Sequence, residues 1–282
     1  MLDRLISVVV PAYNEADRIV ASVAEMVRTL QCFRYNFEII VVDDGSADST
    51  SQSLLIAEFP DATVRFVHYV QNRGKGHALL CGARYARGEY VVFLDADLDL
   101  HPDQLPLFFE TLELKGADVV VGSKWHPLSN VATRRLRRIY STCYYLLTRT
   151  LFRLPVRDTQ VGLKLFRSEA LRPVLGRALC KRFAFDLEAL VIINRMGFKI
   201  AESPVTLTFQ RFGNRINMRD VVRMMIDTAA IFYRASILRY YDRAEVKDEM
   251  LSSLFGDSRE LTLQVENLTE DLDVPSGGPA LI

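Results

Sequence analysis

The segment Tyr90-Val91-Val92-Phe93-Leu94-Asp95-Ala96-Asp97-Leu98-Asp99 joins an apolar run to three carboxylates at every second position. A short apolar run that stops at acidic residues is typical of a strand buried on both faces. Carboxylates with this spacing can gather around one hard divalent cation, or they can form a polar loop that caps the next helix. The segment therefore predicts a strand that ends at Asp95, followed at Asp95, Asp97 and Asp99 by either a divalent-cation site or a capping loop.

The flanking sequence repeats the pattern of buried strand, polar turn and amphipathic helix. This alternation predicts an α/β fold with a mostly parallel sheet that helices cover on both faces. Ligands bind beyond the carboxyl ends of such strands, so the polar clusters 11–15, 43–46 and 95–99 are expected to share one edge. The predicted strands are 5–10, 37–42, 64–69, 90–94 and 118–122, and the predicted helices are 16–30, 49–58, 76–86 and 102–114.

The first two clusters, and a basic loop further on, contain residues suited to a nucleotide. Asp43 and Asp44 can accept hydrogen bonds from a base or a ribose, although Asp-Gly pairs are also common in ordinary turns. Tyr13 can stack on a base. Gly74-Lys75 precedes a predicted helix and can meet a phosphate, but the Ser or Thr of a Walker loop is missing after the lysine.

The formal net charge of zero conceals a segregation of charge along the chain. Residues 119–157 include eight Lys or Arg and no Asp or Glu, whereas residues 242–282 include ten acids and three bases. The tail therefore carries −7 and residues 1–241 carry +7. We expect the acidic tail to be disordered or weakly docked.

The acid-free stretch contains a predicted helix at 134–153 that opens with four arginines and has an apolar face. Such a helix fits an anionic membrane surface. A core-packed helix with a solvated arginine face is the alternative. RNA binding is compatible with the charge, but the arginines cluster rather than follow a groove, so we expect no nucleic-acid partner. A second amphipathic helix is predicted at 219–241.

Two further segments contain candidate residues. Asp186 and Glu188 lie in an apolar context, where desolvation can prepare an acid for catalysis; pairing with a nearby arginine is the alternative. Arg211 and Arg215 flank a glycine in a predicted loop and suit a phosphate.

Several classes of protein are excluded by what the sequence lacks. The four cysteines and four histidines form no zinc-binding spacing, and the cysteines suit a reducing cytosol. The longest runs without charge are about ten residues, which is half of what a membrane-spanning helix needs. The N-terminus lacks the apolar core of a signal peptide.

Four motifs in order, Val-Val-Pro-Ala-Tyr-Asn-Glu, Val-Asp-Asp-Gly-Ser, Gly-Lys-Gly-His-Ala and Leu-Asp-Ala-Asp-Leu, resemble those of family 2 glycosyltransferases. The segments 158–166 and 185–188 are similar to the branch that transfers sugars to polyprenyl or dolichyl phosphate. The resemblance spans about residues 5–220. It implies a GT-A fold, a nucleotide-sugar donor, a divalent metal and an inverting transfer. It also implies a catalytic domain at 1–218, which includes the basic helix.

The resemblance assigns roles by position. Donor-binding residues are expected to be Pro11, Ala12, Tyr13, Glu15, Asp43, Asp44, Gly74, Lys75, Asp95, Ala96, Arg211 and Arg215. Acceptor-binding residues are expected to be Lys124, Arg134, Arg137, Ser141 and Gln160. Catalytic residues are expected to be Asp97, Arg137, Asp186, Glu188 and Arg215. The ligands of a Mg²⁺ or Mn²⁺ ion are expected to be Asp97 and Asp99. Asp99 stands where mannose synthases usually have Gln, and Lys124 stands where the family commonly has Arg.

Three functions remain open at this stage. The first is transfer of a hexose to a polyprenyl phosphate, by a protein held at the cytoplasmic face of a membrane by its own helices or by a membrane-protein partner. The second is transfer to a saccharide hydroxyl, which needs a general base such as Asp186 or Glu188. The third is a non-catalytic nucleotide-sugar-binding scaffold. UDP-glucose, GDP-mannose and UDP-N-acetylhexosamine are all open as donors, and the Asp-Thr-Gln segment leans toward UDP-glucose.

Overall fold

A computed structural model describes residues 4–59, 62–129, 135–182, 184–207 and 218–243, without the side chains of 135–140 and 218–220. Several predicted features lie outside the described residues: Arg134, Arg211, Arg215, the side chain of Arg137 and the acidic tail after residue 243.

Seven strands form one mixed sheet in the order β3-β2-β1-β4-β6-β5-β7. Strand β6 runs antiparallel to β4 and β5, and the other neighbours are parallel. The mostly parallel sheet predicted from the sequence is therefore confirmed. The strands are β1 (Leu5–Ala12), β2 (Asn36–Asp43), β3 (Thr63–His68), β4 (Tyr90–Phe93), β5 (Val119–Ser123), β6 (Lys164–Arg167) and β7 (Ile200–Pro204).

Helices cover both faces of the sheet because successive residues of the central strands point in opposite directions. Val9 joins one buried cluster with α3, α6 and α7, while Val8 and Val10 join the other with α1 and α4. The helices are α1 (Ile19–Cys32), α2 (Thr50–Leu55), α3 (Lys75–Tyr85), α4 (Leu105–Leu114), α5 (Arg135–Phe152), α6 (Ser168–Arg177), α7 (Phe185–Arg195) and α8 (Met218–Phe232).

Two parts of the second half differ from the prediction. Strand β6 was not predicted, because it has only four residues and a basic residue at each end. The helix predicted at 219–241 ends at Phe232, continues as a π-helical turn at Tyr233–Ile237 and finishes with a 3₁₀ turn at Tyr240–Asp242. Arg239, with a φ of 48°, breaks the helical path between the two turns.

Candidate active site

The carboxyl ends of β1 and β2 are connected by hydrogen bonds between the loops that follow them. The amide N of Asn14 donates to Oγ of Ser46 at 2.9 Å, and the amide N of Ala47 donates to Oδ1 of Asn14 at 2.9 Å. The loop after β1 also exposes the Tyr13 ring, of which 47% is accessible. The predicted base-binding residues at 11–15 thus lie at the expected edge, with Tyr13 free to stack on a ligand.

Asp43 is fully buried at the end of β2. Its Oδ1 accepts hydrogen bonds from the backbone N (2.9 Å) and Oγ (2.5 Å) of Ser46, and its Oδ2 accepts one from Ser51 and lies 3.1 Å from Nδ1 of His68. Both oxygens therefore have partners within the protein. The carboxylate shapes the loop at the predicted donor site.

Asp44 is also buried, and it holds the loop that carries Lys75. Its carboxylate accepts hydrogen bonds from the Tyr69 hydroxyl (2.6 Å) and from the backbone N of Arg73 and Gly74 (both 2.8 Å). Burial raises the pKa of Asp44 above its ordinary value. The structure thus makes Asp44 an anchor for the basic loop, which differs from the donor contact expected from the sequence.

Glycine is required in this loop at position 74. Its φ is +98°, and a Cβ there would lie 2.5 Å from the carbonyl oxygen of Lys181. The close approach places the next residue, Lys75, at the first position of α3, and its Nζ lies 2.5 Å from Oδ1 of Asp95. The structure therefore brings together the basic loop and the acidic cluster after β4.

The Lys75–Asp95 pair is the electrostatic centre of this edge. Burial alone lowers the pKa of Lys75, but the charges of Asp95 and Asp186 outweigh it and raise that pKa to about 12. Burial raises the pKa of Asp95, but the charge of Lys75 outweighs it and holds the pKa below its ordinary value. Both groups are therefore ionised at neutral pH.

A second ion pair lies beside the first. Nζ of Lys164 lies 2.7 Å from Oδ1 of Asp186 and also donates to the Val161 carbonyl oxygen at 2.5 Å. Lys164 is 2% exposed, so its charge is compensated inside the protein. Asp186, predicted to be catalytic, thus lies close enough to influence Lys75, with a lysine partner in place of the arginine considered from the sequence.

Gly162 packs directly against Asp95. A Cβ at this position would lie 2.1 Å from Oδ2 of Asp95, so no larger residue fits without moving the carboxylate. Gly162 and Lys164 both belong to the segment 158–166. Neither residue was predicted to belong to the site, although a glycine two positions before a lysine in an apolar strand is a recognisable signal.

Asp97 and Asp99 lie next to this pair on the loop after β4. The backbone N of Asp99 donates to Oδ1 of Asp97 at 3.1 Å, and neither carboxylate forms an ion pair within the described residues. Burial, followed by the charge of Asp97, raises the pKa of Asp99. Two adjacent carboxylates without an ion-pair partner of this kind have the oxygen ligands that a divalent cation prefers. Across the described ranges, no three Asp, Glu, His or Cys side chains converge as a complete metal site.

Glu188 lies elsewhere, in the core between α7 and the C-terminal turns. It is fully buried. Its Oε1 accepts hydrogen bonds from Arg234 (2.8 Å) and the Tyr241 hydroxyl (2.6 Å), and its Oε2 accepts from the backbone N of Leu179 (2.8 Å) and Cys180 (2.7 Å). Each oxygen has two donors, so Glu188 has a structural role, which differs from the catalytic role expected from the sequence.

The predicted acceptor residues lie on two elements. The backbone N of Lys124 lies 3.3 Å from Oδ2 of Asp158, and the charge of Lys124 acts on Asp95 and Asp99. The Gln160 amide points toward α8, with its Nε2 2.8 Å from the Met224 sulfur. Ser141 is exposed on α5. Lys124 therefore joins the acidic edge, whereas Ser141 and Gln160 are associated with α5 and α8.

The carboxyl edge of this α/β sheet holds paired lysines and carboxylates. Ligands of open α/β sheets bind at that edge, and these side chains suit a charged ligand. Comparisons with known proteins specify the class. The chain belongs to glycosyl transferase family 2, since the model of that family matches residues 7–175. The chain is therefore a glycosyltransferase, and the GT-A fold expected from its motifs is confirmed.

Named relatives and solved structures agree with this family. A dolichyl-phosphate beta-glucosyltransferase of Dictyostelium discoideum is 32% identical over 78% of this chain and 73% of its own length. One of the same description from Trichomonas vaginalis is 32% identical over 84% and 74%. Glucosyl-3-phosphoglycerate synthase from Mycobacterium tuberculosis, solved with Mn²⁺, UDP and glucosyl-3-phosphoglycerate, is 25% identical with a TM-score of 0.60, over 82% of this chain and 79% of that one.

Proposed function

We propose that the protein transfers glucose from a nucleotide-sugar, with UDP-glucose as the first candidate, to the phosphate of a dolichyl or polyprenyl lipid. The observation that carries this proposal is the identity of about a third, over most of both chains, with relatives described as dolichyl-phosphate beta-glucosyltransferases. The acidic edge with its paired Lys75 supplies a donor site of matching chemistry.

The acidic edge has to bind the donor and stabilise the negative charge of its diphosphate. We propose that Asp97 and Asp99 would hold Mg²⁺ or Mn²⁺, and the bound ion would supply positive charge for the leaving diphosphate. Tyr13 stacks on the base, and Asp43 and Asp44 keep the surrounding loops in shape. Lys75 stays protonated through neutral pH because its pKa is about 12, so it remains available as a positive charge beside the donor.

The acceptor phosphate needs positioning more than activation. A phosphate monoester has a second pKa near 6, so it is largely a dianion at neutral pH and can attack the anomeric carbon without a strong base. Lys124 acts electrostatically on the donor carboxylates. We propose that it guides the acceptor together with Arg137 and Ser141. Arg134 and Gln160 remain candidates for the same role, as do Arg211 and Arg215 for the donor.

The lipid acceptor requires the protein to meet a membrane. The α5–α8 face, defined here as the exposed side of α5, α8 and the π-helical turn, exposes several apolar side chains: Leu146 (54%), Val222 (52%), Ile226 (62%), Tyr233 (52%) and Ile237 (64%). Within the described ranges, no helix is long and apolar enough to cross a bilayer. We propose that this face rests on the cytoplasmic side of an anionic membrane, alone or with a membrane-protein partner.

The test is a transfer assay with the full chain, radiolabelled UDP-glucose, dolichyl phosphate in detergent and Mg²⁺ or Mn²⁺. We expect label in the organic-extractable lipid, and none when dolichyl phosphate is omitted. Radiolabelled GDP-mannose is the donor control. If the label stays in the aqueous phase and its transfer needs a saccharide, the hydroxyl acceptor replaces the lipid. If neither UDP-glucose nor GDP-mannose is turned over, the proposed donor is wrong.

A further inference from the structure

A separate cavity of about 380 Å³ lies on the acceptor side of the molecule. It is bounded by the second half of α5, the segment 154–157 and the edge strand β7. Tyr145 and Arg149 line it from α5, one and two turns after Ser141, and Arg157 and His126 line it from the neighbouring loops. The residues of the acidic edge, 95–99, are not part of its lining.

The charges that line this cavity favour an anion. Arg149 and Arg157 supply two permanent positive charges, and Glu202 is the one acid among the described residues that line the cavity. Oε1 of Glu202 already accepts hydrogen bonds from the backbone N of Arg157 at 2.5 Å and Asp158 at 3.3 Å. The carboxylate therefore fixes the segment that carries Arg157, and neither arginine forms an ion pair with a carboxylate in the described part of the chain.

One of the two guanidinium groups is already held in place. Nη1 of Arg149 donates to the Tyr145 hydroxyl at 2.5 Å, and its guanidinium carbon lies 5.8 Å from the centroid of the same ring. An arginine fixed in this way loses less side-chain entropy when it binds, and its remaining N–H groups match the oxygens of a phosphate. Arg149 is thus held in a position to bind an anion, and no carboxylate among the described residues occupies that role.

We infer that this cavity is a second phosphate-binding site. It is distinct from the acidic edge with its Lys75–Asp95 pair, called the donor edge from here on, and from the acceptor position proposed at Arg137 and Ser141. Its ligand is a phosphate group held between Arg149 and Arg157. Two sources share that chemistry: the headgroup of an anionic bilayer lipid and a free phosphate. Leu146, exposed next to Tyr145 on α5, places apolar surface beside the arginines, which favours the lipid headgroup.

The test compares the wild type with the double variant Arg149→Gln/Arg157→Gln and with a charge-matched control, Arg34→Gln/Arg172→Gln, which removes two exposed arginines elsewhere. The first measurement is sedimentation with phosphatidylcholine vesicles that do or do not contain phosphatidylserine. Each basic residue near an anionic surface contributes roughly fivefold in affinity, so we expect the double variant to lose about 30-fold and the control at most about fivefold. The second measurement is the melting temperature in sodium phosphate and in sodium chloride at equal ionic strength.

The outcomes separate the two sources of phosphate. A loss on vesicles alone supports a lipid headgroup, and a phosphate-induced rise in melting temperature that only the double variant lacks supports free phosphate. If the double variant matches the control in both measurements, the site does not exist. The melting temperature in chloride and the variant Arg149→Lys/Arg157→Lys, which keeps the charge but loses the fork, show whether folding is intact. Neither readout needs turnover, so the site and the proposed transfer can fail independently.

Discussion

The donor edge and the α5–α8 face differ in whether their charged side chains have partners within the protein. At the donor edge, Lys75 is paired with Asp95 and Lys164 with Asp186, in short contacts that are mostly shielded from water. On the α5–α8 face, Arg149 has no acidic partner among the described residues, and apolar side chains such as Ile226 are exposed. The charges of the first region are paired within the protein, whereas we propose that a membrane supplies the partners of the second.

The largest effect is expected when the donor edge loses a carboxylate that has no lysine partner. Asp97→Asn keeps the shape of the side chain but removes the charge proposed to hold the metal. A metal ion supplies several kcal/mol of stabilisation to the transition state, so we expect turnover to fall by about 10³-fold. The measurement is transfer rate against Mn²⁺ concentration, with the melting temperature as the control for folding. An active Asp97→Asn enzyme would contradict the metal assignment.

The internal pairing of the donor edge can be broken at Lys164. Lys164→Met leaves Asp186 charged and nearly buried, and removal of one partner from such a pair costs about 3–5 kcal/mol. The double variant Lys164→Met/Asp186→Leu should recover most of that loss because an apolar pair of similar size is tolerated. Urea unfolding measures both. Recovered stability without recovered transfer would identify Asp186 as functional; recovery of both would leave it a purely structural group.

A substitution at Gly162 should perturb the donor edge less than the loss of Lys164. The added methyl group of Gly162→Ala has to displace the Asp95 carboxylate, and a shift of about 1 Å can cost roughly 100-fold in rate. We expect kcat to fall while the folded state persists. Gly116→Asn is the matched control, because a Cβ at Gly116 meets nothing within 4 Å and its φ of +52° suits Asn. Equal kinetics in the two variants would show that Asp95 can move freely.

The α5–α8 face is tested by a substitution that should spare the donor edge. Ile226→Asp places a charge among its exposed apolar residues, and we expect vesicle binding to fall about tenfold, because burial of one such side chain contributes about 1.5–3 kcal/mol. Transfer to a short, water-soluble acceptor should be unchanged. Ile56→Asp, at a residue 83% exposed beyond α2, is the matched control. Equal losses in both variants would remove the face from membrane binding.

The smallest effect concerns the exposed pair Arg195–Asp242, whose atoms Nη2 and Oδ2 are 2.5 Å apart. Hydrogen bonding to Arg195 holds the pKa of Asp242 below its ordinary value of 3.8. The resulting stabilisation is therefore fully present above about pH 4 and is lost as the pH falls through the lowered pKa. Solvent screening keeps it below about 1 kcal/mol. Asp242→Asn should lower the melting temperature slightly at neutral pH and not at pH 2; an equal decrease at both would point to packing instead.

The sequence predicted the donor edge better than the α5–α8 face, for a physical reason. Apolar runs that end in Pro11, Asp43 or Asp95 place strand ends and loop chemistry within a few neighbouring residues, and the three predicted loops lie at the ends of neighbouring strands in the sheet. The side-chain partners of Glu188, Arg234 and Tyr241, are 46 and 53 residues away along the chain, so no local pattern could reveal them. Lys164 escaped notice because a lysine in a short strand ordinarily indicates an exposed edge.

The network around Glu188 has a consequence for the order in which the molecule is made. During synthesis from the N-terminus, Glu188 emerges long before Tyr241, which follows 53 residues later. At about 5–20 residues per second, its carboxylate spends several seconds without that donor. A buried charge that lacks part of its hydrogen bonds is costly, so we expect the packing around α7 to be completed only after Arg234 and Tyr241 have been synthesised. A chain that stops before Tyr241 would then lack the donors that complete this part of the core.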